Sequence, residues 1–251
     1  MSLAIVTGGS TGIGLSIVRT LLDQGVATEA AVFDLRPRPE EPLLDGVVQI
    51  ACDVTDEDSV RAAYGELGKV PQILVNNAGG DPLAPGVRDK GLLEEADPFG
   101  PVDEFRRMLD LNFTSAHIVT RVVGPDLASG SAICNTASIA GQIAGQLFAY
   151  GAAKAAVIHW TRSMALHLAP RGVRVNAVAP GIIRTRLWEE MAPEQERYDH
   201  IINRLMPLGR DQSPDDIADS VAFLCSDRAA QITGQVIAVD GGMTLGAPPR
   251  R

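Results

Sequence analysis

Leu3-Ala-Ile-Val-Thr-Gly-Gly-Ser-Thr-Gly-Ile-Gly14 decides the fold. Leu3 to Val6 is a short apolar strand, Thr7 to Gly14 is a glycine-rich turn, and Leu15 to Leu22 carries helical periodicity. Strand, glycine turn and helix in that order start a βαβ unit. Glycines let a backbone pass close to a pyrophosphate, and the helix N-terminus offers N–H groups with a partial positive charge to receive it. Gly8, Gly12 and Gly14 are the expected contacts, with Ser10, Thr11 and Ile13 in the same turn. A tight turn that holds no ligand is the alternative at this point.

Working outward, a second strand through Ala30–Phe33 ends at Asp34, followed by Leu35. Asp34 lies twenty residues after Gly14, where an acid hydrogen-bonds the adenosine ribose in dinucleotide folds. Its carboxylate would accept from both ribose hydroxyls and repel a 2'-phosphate, which favours NAD over NADP. Arg36 and Arg38 lie close enough to pair with a phosphate, while the glycine turn itself holds no basic residue. A third strand, Val47–Cys52, ends in Asp53-Val54. Asp53 either accepts from the adenine amine or begins the helix that Thr55 or Asp56 caps and that runs to about Leu67. The fourth strand, Gln72–Val75, leads to Asn76-Asn-Ala-Gly79, whose amides tie loops together or line the cofactor.

Gly80 to Gly100 mixes Gly, Pro and charge and reads as an excursion on the rim of the site. A long helix from Val102 to roughly Val123 follows, with Asn112 in an apolar setting where its amide must be satisfied if buried. Ser131–Asn135 is the fifth strand, and Ser138 beyond it either donates to a substrate oxygen or serves a turn. Tyr150 and Lys154, four apart, share a helix face. An ammonium beside a phenol favours the phenolate and lowers its pKa from about 10, which makes Tyr150 a general acid/base candidate. A Tyr/Lys pair at this spacing also arises by chance. The helix Gly151 to Leu168 is apolar on more than one face, as expected if the sheet covers one side and a second subunit the other.

Val173–Val178 is the sixth strand and runs into Pro180-Gly181. Backbone groups around Ile183 and the Thr185 hydroxyl are expected at the nicotinamide amide or the diphosphate. Residues 187–212 read as an amphipathic flap over the substrate, with Leu187, Trp188 and Met191 facing it; these apolar residues favour a ring or aryl compound. Helix Pro214–Leu224 and a last strand within Gly234–Gly241 complete the chain before a surface tail.

The 251 residues, 45% hydrophobic, suit one globular unit spanning 1–251. A formal charge of -9 and the absence of a basic stripe argue against nucleic acid as a partner. No apolar run approaches 18 residues and the N-terminus enters a strand at once, so no membrane segment and a cytoplasmic location are expected. Cys52, Cys134 and Cys225 sit in apolar runs and read as buried thiols, and neither they nor the four histidines form a metal motif.

In this order, Thr7-Gly8 with Gly12-Ile13-Gly14, Asp53, Asn77-Ala-Gly79, Asn112, Ser138, Tyr150, Lys154 and Pro180-Gly181 with Thr185 resemble the single-domain short-chain dehydrogenases/reductases. The resemblance covers nearly the whole chain. Its serine pair stands here as Ala137-Ser138, Ser138 precedes Tyr150 by twelve residues, one fewer than in many relatives, and the Gly80 to Gly100 segment is longer than usual. The resemblance implies a doubly wound α/β fold of Rossmann type, with a seven-stranded parallel sheet in the order 3-2-1-4-5-6-7. It also implies a homotetramer and NAD-linked interconversion of a secondary alcohol and a ketone. Ser138 would orient the small-molecule substrate and Tyr150 would carry its proton. Lys154 would lower the Tyr150 pKa and bind the nicotinamide ribose, and Asn112 would hold a water linked to Lys154. An NADPH-dependent 3-oxoacyl carrier-protein reductase and a dihydrodiol or sugar-alcohol dehydrogenase are the alternatives, the latter favoured if the Gln142 and Gln146 amides line the pocket. A dinucleotide sensor without catalysis is a further alternative that the presence of Tyr150 and Lys154 disfavours.

Overall fold

The computed structural model of the chain describes residues 2–37, 44–80, 98–145, 147–183 and 205–246. Seven strands are formed: β1 (Leu3–Thr7), β2 (Glu29–Asp34), β3 (Val47–Ala51), β4 (Ile73–Asn76), β5 (Ala132–Thr136), β6 (Arg174–Pro180) and β7 (Val236–Val239). They make one sheet in the order β3-β2-β1-β4-β5-β6-β7, every neighbouring pair parallel. The order reverses between β1 and β4, and a crevice at such a reversal, outside the carboxyl ends of the strands, is where open α/β sheets hold ligands.

Among the described residues six helices cover the sheet: α1 (Gly12–Asp23), α2 (Glu57–Leu67), α3 (Val102–Leu109), α4 (Ser115–Val123), α5 (Phe148–Leu168) and α6 (Pro214–Cys225). Successive strand residues point to opposite faces, and both faces are buried. On one face Val6, Val32 and Val75 pack with Ile17 and Leu21 of α1 and Ile217 and Val221 of α6. On the other, Ile5, Phe33, Leu74 and Ile133 pack with Val60 of α2, Val119 and Val123 of α4 and Leu168 of α5. This two-sided burial is why the strands read as continuous apolar runs rather than as alternating ones. Asp56 caps α2 by accepting from Asp58 N–H, and Ser213 and Asp216 cap α6 reciprocally behind Pro214.

Two boundaries differ from the sequence reading. The helix expected over 102–123 is broken by a π turn, Asp110–Thr114, that contains Asn112. Helix α5 begins at Phe148 rather than Gly151, with Tyr150 inside its first turn. Among the described residues no helix is long and apolar enough to cross a membrane. Arg38, Gln146, Thr185, Leu187, Trp188 and Met191 lie outside the described residues, as do residues 81–97 of the expected excursion and the expected flap up to residue 204.

Candidate active site

The glycine turn leaves β1 at the sheet's carboxyl edge. Gly8 turns with a positive φ of 64° while its N–H donates to the Phe33 carbonyl at 2.8 Å. Thr11 is the N-cap of α1 but its side chain makes no capping bond, which leaves the first-turn N–H groups directed at the turn. A Cβ on Gly14 would lie 2.0 Å from the Gly8 carbonyl oxygen and 2.7 Å from Asn77 Nδ2. Only glycine fits there.

Asn77 ties this turn to β4. Its Nδ2 donates to the carbonyls of Thr7 (3.1 Å) and Gly8 (3.3 Å), and the N–H groups of Asn77 and Ala78 donate to Thr7 Oγ1 (3.0 and 2.9 Å). Asn76 is buried below it and donates to Asn135 Oδ1 (2.8 Å) and Thr120 Oγ1 (3.0 Å), joining β4 to β5 and α4. The Asp34 carboxylate accepts from the N–H groups of Ser10 (3.2 Å) and Arg36 (3.1 Å), so the end of β2 is fixed against the turn, with Leu35 exposed beside it. An uncapped helix N-terminus, a turn in which Gly14 admits no side chain, and a fixed carboxylate together fit a dinucleotide. Asp53 Oδ1 accepts from the N–H and hydroxyl of Thr55 (2.9 and 2.6 Å), a local turn that precedes α2, and Val54 is buried.

Across the crevice, Lys154 is only 3% exposed. Its Nζ donates to the Thr136 carbonyl at 2.9 Å and stands 5.6 Å from the centre of the Tyr150 ring. Asn112, also buried, accepts from Gly80 N–H through Oδ1 (2.8 Å) and donates to the Met108 carbonyl through Nδ2 (3.2 Å). A Cβ on Gly79 would meet Asn112 Oδ1 at 2.8 Å and Lys154 Nζ at 3.5 Å, so Gly79 lets the two approach one another. The π turn satisfies the asparagine and presents it to Gly80, in keeping with the frequent placement of π turns at functional sites.

Ser138 caps a short turn, Ile139–Gly141, by accepting from Ala140 N–H at 3.2 Å. Two glycines press that turn onto α5. A Cβ on Gly141 would fall 2.6 Å from the backbone at Lys154 and Ala155, and one on Gly151 2.8 Å from the Ala140 carbonyl oxygen. Backbone contact of this kind brings Ser138 beside Tyr150 across the short loop. No motif marks Gly141, Gly151 or Thr136, because each acts through backbone. Gln142 is exposed, and Ile143 and Phe148 expose apolar surface near Tyr150 in the chain. Pro180 ends β6, Gly181 N–H donates to the Val239 carbonyl at 2.9 Å, and Ile183 is buried.

The electrostatics differ from the expectation for Tyr150. Burial pushes its phenol above the ordinary value, and the Ser138 hydroxyl pulls it partly back. Burial also disfavours the charged form of Lys154 and brings its ammonium down to about 8 from 10.5. This depression has a measurable consequence. Between about pH 8 and 10 the unfolded chain still holds the lysine proton that the folded chain has released, so the lysine makes unfolding free energy rise with pH. The slope reaches up to about 1.4 kcal/mol per pH unit. Below pH 8 the burial penalty is present in full. Urea denaturation of wild type and Lys154→Met from pH 8 to 10 is expected to show this rise only in the wild type. Parallel curves would mean that the lysine is not buried charged.

A sequence model of the family described as enoyl-(acyl carrier protein) reductase matches residues 8–244. A short-chain type dehydrogenase/reductase of Sinorhizobium fredii is 36% identical over 255 residues, covering 97% of this chain and 44% of that longer protein. L-fucose dehydrogenase of Bos taurus is 36% identical over 252 residues, covering 96% and 89%. 7alpha-Hydroxysteroid dehydrogenase of Escherichia coli K12 is 33% identical over 255 residues, covering 95% and 92%. Among solved structures, a short chain dehydrogenase family protein of Francisella tularensis superposes with a TM-score of 0.83 at 27% identity, covering 98% and 99%.

Proposed function

Because the chain belongs to the short-chain dehydrogenase/reductase family, oxidoreductases that use nicotinamide dinucleotides, we propose that it moves a hydride between NAD(H) and a secondary alcohol or ketone, with Tyr150 as the acid/base. The observation that carries this reading is the buried Lys154 ammonium held between the Thr136 carbonyl and the Tyr150 ring, opposite the glycine turn. The nicotinamide supplies the hydride in reduction and accepts it in oxidation.

In this reading Ser138 Oγ orients the substrate oxygen and Tyr150 exchanges a proton with it. The raised Tyr150 pKa favours the neutral phenol, which suits donation to a ketone oxygen as it gains negative charge. Lys154 supplies positive charge behind the phenol and a donor for the nicotinamide ribose. Asn112 holds the Gly80 backbone beside Lys154 and with it a water that returns protons to the site. Gly8, Ser10, Thr11, Gly12, Ile13 and Gly14 take the diphosphate, Asp34 and Leu35 the adenosine ribose, and Asp53 and Val54 the adenine. Asn77, Ala78 and Gly79 line the middle of the cofactor, and Pro180, Gly181, Ile183 and Thr185 its nicotinamide end. Gln142, Leu187, Trp188 and Met191 face a substrate with ring character.

The chain acts as one unit over residues 1–251, in the cytoplasm, where its three buried and unbridged cysteines would stay reduced. Exposed Val102, Phe105 and Leu166, on the mutually packed α3 and α5, support a homotetramer built across these helices.

The experiment is to follow NAD+ and NADP+ reduction separately over a panel of secondary alcohols, and the reverse reaction over the matching ketones. No turnover with any of them, beside tight NADH binding, counts against the enzyme reading. For the cofactor preference, Asp34→Ser is expected to shrink the NAD+ over NADP+ ratio of kcat/KM by about 100-fold. Like-charge contact costs on the order of several kcal/mol, part of which water screens at a half-buried carboxylate. A wild type that already prefers NADP+ would refute the assignment of Asp34.

A further inference from the structure

No sequence motif marks Gln212, yet its side chain is only 5% exposed. It stands at the end of a stretch that is fastened along the end of β7, where Leu208 N–H donates to the Gly241 carbonyl at 3.0 Å. Gln212 Nε2 donates to the Val239 carbonyl. The same carbonyl accepts Gly181 N–H at 2.9 Å. Gln212 Oε1 is buried and no donor among the described residues reaches it. It lies against Gly181, where an added Cβ would stand 3.1 Å from that oxygen and 2.9 Å from Asp240 Cα and Cβ. The peptide after Pro180 is therefore held between the Asp240 backbone and one side-chain amide, two residues before Ile183.

An acceptor shut away from water without a donor is unfavourable, and an apolar side chain of equal reach would avoid it. Local departures of this sort gather at functional sites. Gln212 bonds to none of the groups expected to react, and what it fixes is the turn that carries Ile183.

We infer that Gln212 is a positioning residue for the nicotinamide end of the cofactor, its amide locking the Val239 carbonyl and the Pro180-Gly181 turn into one arrangement. This rests on the dinucleotide reading given above. Loss of the amide frees the turn at Gly181 and leaves the glycine turn and Asp34, on the far side of the sheet's reversal, unchanged. The nicotinamide end then loses affinity and the adenosine end does not.

The test uses the full chain and two ligands, titrated calorimetrically. One is NADH or NADPH, whichever the wild type binds more tightly. The other is the matching ADP-ribose, with or without its 2'-phosphate, which lacks the nicotinamide. Gln212→Met keeps the length of the side chain and removes both the tether and the unpaired oxygen. It is expected to weaken the dinucleotide about tenfold, the size of one net hydrogen bond, and to leave ADP-ribose within about twofold. Gln212→Asn, whose amide falls one methylene short of Val239, gives the same split and is read instead if the methionine variant loses its fold. Equal weakening of both ligands, or of neither, overturns the inference. A wild type that binds neither dinucleotide overturns the cofactor reading itself, and this inference with it.

Discussion

Tyr150→Phe is expected to lower kcat by about 10³-fold, within the usual reach of general acid/base catalysis, while dinucleotide affinity stays within about threefold. Phenylalanine preserves the ring that faces Lys154 Nζ at 5.6 Å, so the packing of α5 against the Ser138 turn has no reason to change. Only the hydroxyl, and with it the proton, is lost. Steady-state turnover of the best alcohol or ketone from the panel gives kcat, and fluorescence titration with the dinucleotide gives affinity. A parallel collapse of both would show that Tyr150 holds the cofactor, and unchanged turnover would remove it from the chemistry. The raised phenol pKa adds a pH signature: oxidation, which needs the phenolate, should gain rate as pH rises toward the Tyr150 pKa, and reduction should not.

Gly14→Val is expected to weaken dinucleotide binding by at least about 100-fold. A Cβ at this position would lie 2.0 Å from the Gly8 carbonyl oxygen, a backbone atom that cannot swing aside as a side-chain tip can. Either the glycine turn opens or α1 retreats from the sheet, and both displace the helix N-terminus from the diphosphate. Overpacking of this kind costs about 1–3 kcal/mol of stability, so a folded variant with an altered turn is the expected product. Circular dichroism and a titration with the dinucleotide separate the two effects. Binding near the wild-type level in a folded variant would mean that residues 8–14 do not cradle the cofactor.

The strand and helix order was legible because its signals are local. Leu3 to Leu22 switches from apolar run to glycine turn to helical periodicity within twenty residues, and Asp34 follows at the spacing that a βαβ unit imposes. What escaped is the part that depends on how elements meet. The pattern over Val102–Val123 reads as one helix because a single π turn leaves the apolar periodicity nearly intact on either side. The direction of the Tyr150 shift escaped because spacing places Lys154 near the phenol but does not reveal that Lys154 is buried and Tyr150 half-buried, and loss of water acts on each against its charged form. Gly141 and Gly151 look like ordinary loop and helix glycines until backbone from the facing element stands where their side chains would be. Asp53 kept two readings in the sequence, and its bonds to Thr55 show that Oδ1 already serves the local turn before α2, a contact that the spacing alone did not reveal.

The π turn at Asp110–Thr114 also decouples two demands that a plain helix would set against each other. Helix α4 must aim Val119 and Val123 into the core, while Asn112, less than two turns earlier, must aim at Gly80. In an unbroken helix the angle between those directions is dictated by 100° steps per residue, so any improvement in the fit of one would rotate the other out of place. The wider turn takes up an extra residue's worth of winding and acts as a phase shifter. The apolar seam of α4 can thus drift through substitution while the asparagine keeps its bearing on Gly80, and the hold on Gly80 can change without retuning the hydrophobic core.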